Sequence, residues 1–256
     1  MLSRGDERLI RALQRRKHRE ESGLFLAEGV RVVEELVEAS IDLHLAVIST
    51  TLEDTPRGRA LASMLSDRVR TERVSREAVS SLAATDTPQG VVVVARFPRW
   101  TPDVVDFASR STCLVLDAVQ DPGNFGTLVR SADAFRAAAV IALPGTVDPW
   151  NPKSVRAAAG SSFRVPILQL DLATASAWLR GFEFRFFAAD AGGKAVDIVA
   201  RPARVALLVG NEGAGLGAET RAVADEIVAV PIRGPAESLN VGVAAGILLY
   251  LLTREP

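Results

Sequence analysis

Six short apolar runs recur between residues 113 and 232 at intervals of roughly 25 residues, and this spacing restricts the fold more than any other feature of the chain. They span residues 113–116, 139–143, 165–168, 184–188, 205–209 and 227–232. Each is shorter than a buried helix and ends at turn residues, so each reads as a strand covered on both faces. Helical patterns fill most of the gaps, notably 126–135, 154–159, 172–179 and 218–224. Strand–helix–strand alternation needs crossovers, and crossovers make neighbouring strands parallel. The fold class is therefore α/β, a parallel sheet with helices on both faces. In such a sheet, ligands bind beyond the carboxyl ends of the strands.

Three polar loops emerge at strand ends of that kind. Gly210-Asn211-Glu212-Gly213-Ala214-Gly215-Leu216-Gly217 follows the run 205–209. Arg233-Gly234-Pro235-Ala236-Glu237 follows Ile232, and Ser238-Leu239-Asn240 then opens an almost wholly apolar last helix. The third loop starts at Asp117, turns at Pro122-Gly123 and begins a helix near Asn124, where asparagine is an ordinary N-cap. A lone arginine on a helix is usually just solvated, but Arg130 sits on a helix that is otherwise apolar. Glu212 directly after a buried strand is an expensive choice unless its carboxylate finds partners.

Several chemistries are excluded. Gly213-x-Gly215-x-Gly217 lacks the G-x-G-x-x-G spacing of a dinucleotide site, and the next strand carries no acid for a ribose. One cysteine, Cys113, rules out an internal disulfide, and within an apolar run it reads as an inert core residue. Only two histidines, His18 and His44, argue against a histidine metal site or a Ser-His-Asp triad, so no metal is expected. His44 reads as structural. The first residues are charged and the longest apolar run, 241–252, is too short to span a bilayer, so a cytoplasmic chain without membrane contact is expected. The net charge of −1 gives no global bias towards nucleic acid.

Residues 1–97 read as a separate α/β unit. A helix from Asp6 to Arg19 ends in Arg15-Arg16-Lys17-His18-Arg19, which is either a solvated face or a phosphate-contacting arm. Residues 24–27, 43–48 and 91–95 read as strands, and Thr87-Pro88-Gln89-Gly90 as a turn. In the helix over 57–65, Leu61, Met64 and Leu65 should face inward, and Ser75 should cap the next helix. The expected organisation is residues 1–97, a linker over 98–112 with its prolines at 98 and 102, and residues 113–256.

Taken in order, Asn124-Phe125-Gly126-x-x-x-Arg130, then Gly210-Asn211-Glu212-Gly213-x-Gly215-x-Gly217, then Pro231-Ile232 with Ser238-Leu239-Asn240-Val241 resemble the three motifs of the SpoU (TrmH) class. These are SPOUT-superfamily RNA ribose 2′-O-methyltransferases. Phe25-Leu26-Ala27-Glu28-Gly29 and Thr87-Pro88-Gln89-Gly90-Val91 resemble stretches of the L30e-like substrate-binding domain that some members carry. The resemblance implies a deep trefoil knot in the C-terminal domain, S-adenosylmethionine as methyl donor and a homodimer built through the knotted domain. It implies catalytic roles for Asn124, Arg130, Glu212, Ser238 and Asn240. Donor contacts would come from Leu208, Gly210, Asn211, Gly213, Ile232, Ser238 and Leu239. RNA contacts would come from Arg15, Arg16, Lys17, Arg19 and Arg130. Asn124 and Ser238 would orient Arg130 and the ribose, and Glu212 would shape its loop or bind Arg130. A charged guanidinium has no acceptor lone pair, so Arg130 suits gripping a phosphate better than taking a proton. The ribosomal-protein-like first domain points to large-subunit rRNA. A tRNA substrate, or an inactive RNA-binding protein of the same fold, are the alternatives.

Overall fold

The computed structural model describes residues 2–84 and 88–254; Thr87, the first residue of the expected 87–90 turn, lies outside the described residues. Two compact units are present. One comprises Met1–Arg99 with Asp148–Arg164, and the other Trp100–Val147 with Val165–Pro256.

In the first unit, strands β1 (Leu24–Glu28), β2 (Leu43–Ser49), β3 (Thr71–Val74) and β4 (Val91–Arg96) form a sheet in the order β1-β4-β2-β3. The all-valine start of β4 explains its central place: it runs antiparallel to both neighbours and is buried on both faces. The edge strand β3 was invisible in the sequence, because Thr71-Glu72-Arg73-Val74 is mostly polar and only partly buried. Helices α1 (Arg4–Ala12), α2 (Arg16–Ser22), α3 (Val30–Glu38), α4 (Pro56–Arg68) and α5 (Arg76–Leu82) cover the sheet. Ser75 caps α5 as expected, accepting from the Ala78 amide. Met64 does not face inward; it is exposed while Leu61 and Leu65 are buried.

The expected helix from Asp6 to Arg19 is two helices. The chain breaks after Ala12, and the break leaves the Leu13 carbonyl free to accept from the Arg19 guanidinium at 2.8 Å. Arg19 is only 2% exposed, and its Nε and terminal nitrogen also donate to the Asp148 carboxylate. The assignment of Arg19 to RNA is therefore corrected, because its charge is spent inside the protein. Arg15, Arg16 and Lys17 remain exposed, with Arg16 paired to Glu20 at 2.6 Å and Lys17 to Glu21 at 3.8 Å. Removing one partner of a buried pair strands the other charge. Arg19→Ala should thus destabilise the protein by about 3–5 kcal/mol in equilibrium denaturation; a loss under about 1 kcal/mol would show that the pair is not structural.

The second unit holds β5 (Ser111–Leu116), α6 (Pro122–Ala134) and β6 (Ala139–Ala142). After Val147 the chain leaves it, and Asp148–Arg164, which carries α7 (Pro152–Ala158), packs in the first unit. The chain then returns through β7 (Ile167–Gln169), α8 (Leu172–Gly181), β8 (Arg185–Ala195), β9 (Arg204–Val209), α9 (Ala218–Ala222), β10 (Glu226–Ala229) and α10 (Val241–Thr253). All neighbours in the order β10-β8-β9-β5-β6-β7 are parallel. Cys113 lies in the core of this sheet, where burial pushes its thiol up to about 12, so it is inert. The run 227–232 yields a shorter strand than its apolarity suggests, because pairing stops at Ala229.

The excursion 148–164 is anchored by packing and charge. Trp150 lies 4.9 Å from Phe25 and 5.4 Å from Phe97 between ring centroids, and Phe163 lies 5.9 Å from Phe25. Arg164 pairs with Glu35, and Gly160, with a φ of 94°, leaves the room that the Glu35 side chain occupies. Sequence periodicity gave this segment to the second domain because a helix in that place usually covers its own sheet. Among the described residues no helix is long and apolar enough to cross a membrane.

Candidate active site

β5 and β9 lie side by side in the sheet, with Leu116 paired to Val209 at their carboxyl ends. The loops that follow them therefore meet. The glycine loop closes on itself first: the Asn211 and Gly215 backbones exchange hydrogen bonds of 2.9 and 3.0 Å. The Asn211 side chain then accepts from the Gly213 and Ala214 amides and donates to the Ala118 carbonyl at 2.9 Å. Asp117 accepts from the Gly217 amide at 2.8 Å. These bonds fix the two loops against each other before any catalytic group is considered.

Helix α6 begins earlier than the sequence suggested. Asp121, not Asn124, is the N-cap, and it accepts from the Asn124 amide at 2.8 Å. That frees the Asn124 side chain, whose amide nitrogen donates to Glu212 at 3.0 Å and whose oxygen accepts from Asn240 at 2.9 Å. Asn240 in turn caps α10 by accepting from Gly242 at 2.9 Å and Val243 at 3.3 Å. Glu212 also accepts from the Gln120 amide at 3.3 Å, the Asp121 amide at 3.2 Å and Asn211 at 3.4 Å. One side-chain chain, Glu212–Asn124–Asn240, thus links all three loops.

Burial pushes the Glu212 carboxyl up. The hydrogen bonds from Asn124 and from the backbone of Glu212, Asp121 and Gln120 outweigh that and hold it below its ordinary value of 4.5. A carboxylate with a depressed pKa and this many donors is a clamp and a poor proton acceptor. The clamp is complete above the ordinary glutamate range and is lost as pH falls through the depressed value. Glu212→Gln should therefore weaken donor binding as well as activity, and should remove the acid-side loss of donor affinity that titration of the clamp causes. If kcat alone falls in that variant while donor affinity and its pH dependence are unchanged, Glu212 is a base after all.

Arg130 is exposed and, among the described residues, makes no hydrogen bond or ion pair. It is oriented by neither Asn124 nor Ser238, and Glu212 does not bind it, so of the two roles expected for Glu212 the loop-shaping one stands. Ser238 is exposed in the last loop.

A pocket of about 180 Å³ lies beside the clamp, and Gly210, Asn211, Glu212, Ile232, Ser238 and Leu239 all line it. Two expected donor contacts do not. Leu208 is fully buried in β9 between Val115 and Ala188, so the sheet uses it as core, and Gly213 lies outside the lining. Among the described residues, no hydrogen bond engages the backbone of residues 232–239, so its amides and carbonyls are available to a ligand. Sequence reading missed Asp190, which also lines this pocket. Pairing of β8 with β10 jumps from Ala188 to Lys194, which bulges residues 189–193 outward, and Gly193 is the only residue type that fits against the Ile227 and Val228 backbone. Asp190 accepts from the Gly192 amide at 2.8 Å and pairs with Arg221. The double glycine Gly192-Gly193 inside an apolar strand pattern was the available signal.

A parallel sheet thus brings the three motif loops together at one end, tied by a Glu–Asn–Asn chain beside a pocket of unpaired backbone, the place where a methyltransferase of the SpoU type would hold donor and substrate. The comparisons agree. Residues 111–250 match the model of the SpoU rRNA Methylase family, and residues 8–93 that of an MRM3-like substrate binding domain. The 23S rRNA (guanosine(2553)-2′-O)-methyltransferase RlmP of Bacillus subtilis is 35% identical, over 94% of this chain and 92% of its own. The SpoU methyltransferase AviRb from Streptomyces viridochromogenes, solved in complex with AdoMet, has a TM-score of 0.87 at 27% identity, covering 98% of this chain and 97% of its own. An AdoMet-bound rRNA methyltransferase from Sinorhizobium meliloti has a TM-score of 0.84 at 31% identity, covering 98% and 95%. The chain belongs to the SpoU rRNA Methylase family, and its first unit carries an MRM3-like substrate binding domain.

Proposed function

We propose that this protein transfers a methyl group from S-adenosylmethionine to a ribose 2′-hydroxyl in large-subunit (23S) rRNA. The observation that carries the reading is the Glu212–Asn124–Asn240 chain, which joins all three motif loops at one end of the parallel sheet. The activity of the B. subtilis relative and the donor bound in the two related structures support it.

The pocket fits the donor. Unpaired backbone at Gly210, Ile232 and Leu239 suits the hydrogen-bonding edges of an adenine, and the apolar face of α10, with Ala245 and Leu248, suits its ring. When bound, S-adenosylmethionine supplies an electrophilic methyl group. The chain's own residues do the rest. Asn211 and Glu212 hold the glycine loop in shape. Asn124 and Asn240 keep the start of α6 and the start of α10 in register. Arg130, with its guanidinium unengaged, grips the phosphate beside the target ribose and stabilises negative charge as the hydroxyl ionises. The hydroxyl proton passes to a phosphate or water, because Glu212 is saturated with donors. Ser238 contacts donor or ribose from the last loop.

Arg15, Arg16 and Lys17 contribute phosphate contacts from the substrate-binding unit. The protein acts as a cytoplasmic homodimer through its C-terminal domain, which forms a trefoil knot; Val243, half-exposed on the almost wholly apolar α10, supports an apolar interface there. Mass spectrometry of nucleosides from 23S rRNA treated with enzyme and donor tests the reaction. A 2′-O-methylnucleoside is expected, and a base-methylated product would refute it.

A further inference from the structure

A cavity of about 480 Å³ opens at the opposite edge of the second unit's sheet, where β5 and β9 begin and where α6 and α10 end. Arg110, Arg136 and Arg254 line it, together with the rings of Phe135 and Tyr250, whose centroids are 5.8 Å apart. All three arginines are exposed and, among the described residues, none of their side chains has a hydrogen-bond or ion-pair partner. Among the described residues no carboxylate lines the cavity. Elsewhere in this unit Arg180 and Arg185 pair with Asp225 and Arg221 with Asp190, while Arg130 and Arg233 at the other end of the sheet are, among the described residues, unpaired like these three. Among the described residues, the positive charge here thus has no ion-pair partner.

Two local details hold that charge in place. The Arg201 guanidinium donates to the Leu251 and Arg254 carbonyls at 3.2 and 3.4 Å, which ties down the end of α10 at the cavity rim. Arg136 has a φ of 53°, the left-handed position after a helix that favours glycine. Arginine therefore occupies a position where glycine would be less strained. Three planar forks around a half-exposed tyrosine match phosphate oxygens flanking a base that can stack.

We infer that the cavity formed by Arg110, Arg136 and Arg254 around Phe135 and Tyr250 is a phosphate subsite for the substrate RNA strand beyond the target nucleotide. Helices α6 and α10 pack on each other, start at the catalytic loops and end at this cavity. Eleven residues separate Asn124 from Phe135, a rise of about 16 Å, so the two places lie within a few nucleotides on one strand. This rests on the RNA methyltransferase reading.

The test uses the full-length protein and in vitro transcribed 23S rRNA. The variants are Arg136→Gly alone and Arg110→Ala/Arg136→Gly/Arg254→Ala together. Arg136→Gly relieves the backbone, so its melting temperature should hold or rise while RNA affinity falls. The triple variant should bind RNA on the order of tenfold or more weakly, with a salt slope smaller by about three units, while affinity for S-adenosylmethionine is unchanged. Unchanged RNA affinity and slope would overturn the inference. So would tight binding of a free nucleotide (AMP as probe) that the triple variant abolishes without touching RNA binding, since the site would then serve a small ligand. Loss of affinity accompanied by dissociation of the protein would also overturn it, marking the cavity as an interface. If the wild type transfers no methyl to the RNA, the function reading fails; if it does and the variants bind like wild type, this inference fails alone.

Discussion

An Arg130→Ala enzyme should lose about 10²–10³-fold in kcat while binding S-adenosylmethionine as tightly as the parent. The two halves of that expectation have separate grounds. Arg130 does not line the donor pocket and bonds to none of the loops that form it, so donor affinity has no reason to change. Its guanidinium is the free cation on the helix that Asp121 caps and that carries Asn124 in its first turn, so loss of charge falls on the reacting end of the RNA. Arg130→Lys keeps the charge but not the planar fork and should recover only part of the rate. Calorimetry with the donor and single-turnover methyl transfer separate the effects. Wild-type transfer by Arg130→Ala would remove Arg130 from the site, and lost donor binding would make it a structural residue.

A fragment of residues 98–256 should fail to fold as a stable unit, although it spans the whole family match of residues 111–250. Its segment 148–164 would leave Trp150 and Phe163 without Phe25 and Phe97, and Asp148 and Arg164 without Arg19 and Glu35. Exposing two large aromatics and unpairing a buried carboxylate costs several kcal/mol, about as much as a domain's whole stability. The full chain should melt cooperatively, whereas the fragment should aggregate or melt broadly. A fragment that melts as sharply, and at the same temperature, would contradict this. Activity lost on deleting the first unit would therefore not measure RNA recognition alone.

The second sheet was legible because apolar runs of strand length recur at crossover spacing, and each of the six contains or borders an observed strand. Strand β3 was not, because an edge strand half in water carries no apolar signature. The Arg19 pairing joins residues 129 positions apart, and a basic run looks the same whether its last member is buried or solvated. At the site, the types and order of Asn124, Glu212 and Asn240 were readable, but their partners were not. Asparagine at a helix start reads as a cap, and only the earlier start set by Asp121 turns Asn124 into a link between loops. Leu208 was assigned by motif position, while its place in the middle of the sheet makes it core. Asp190 was hidden in a bulge, which strand periodicity erases.

The most direct test is primer-extension mapping of ribose methylation on unmodified 23S rRNA and on unmodified tRNA, each incubated with S-adenosylmethionine and either the wild type or Arg130→Ala. The expected result is a single donor-dependent 2′-O-methyl stop in 23S rRNA with the wild type, its near disappearance with Arg130→Ala, and none on tRNA. A stop on tRNA alone, or none on either RNA from a protein that binds the donor, would contradict it.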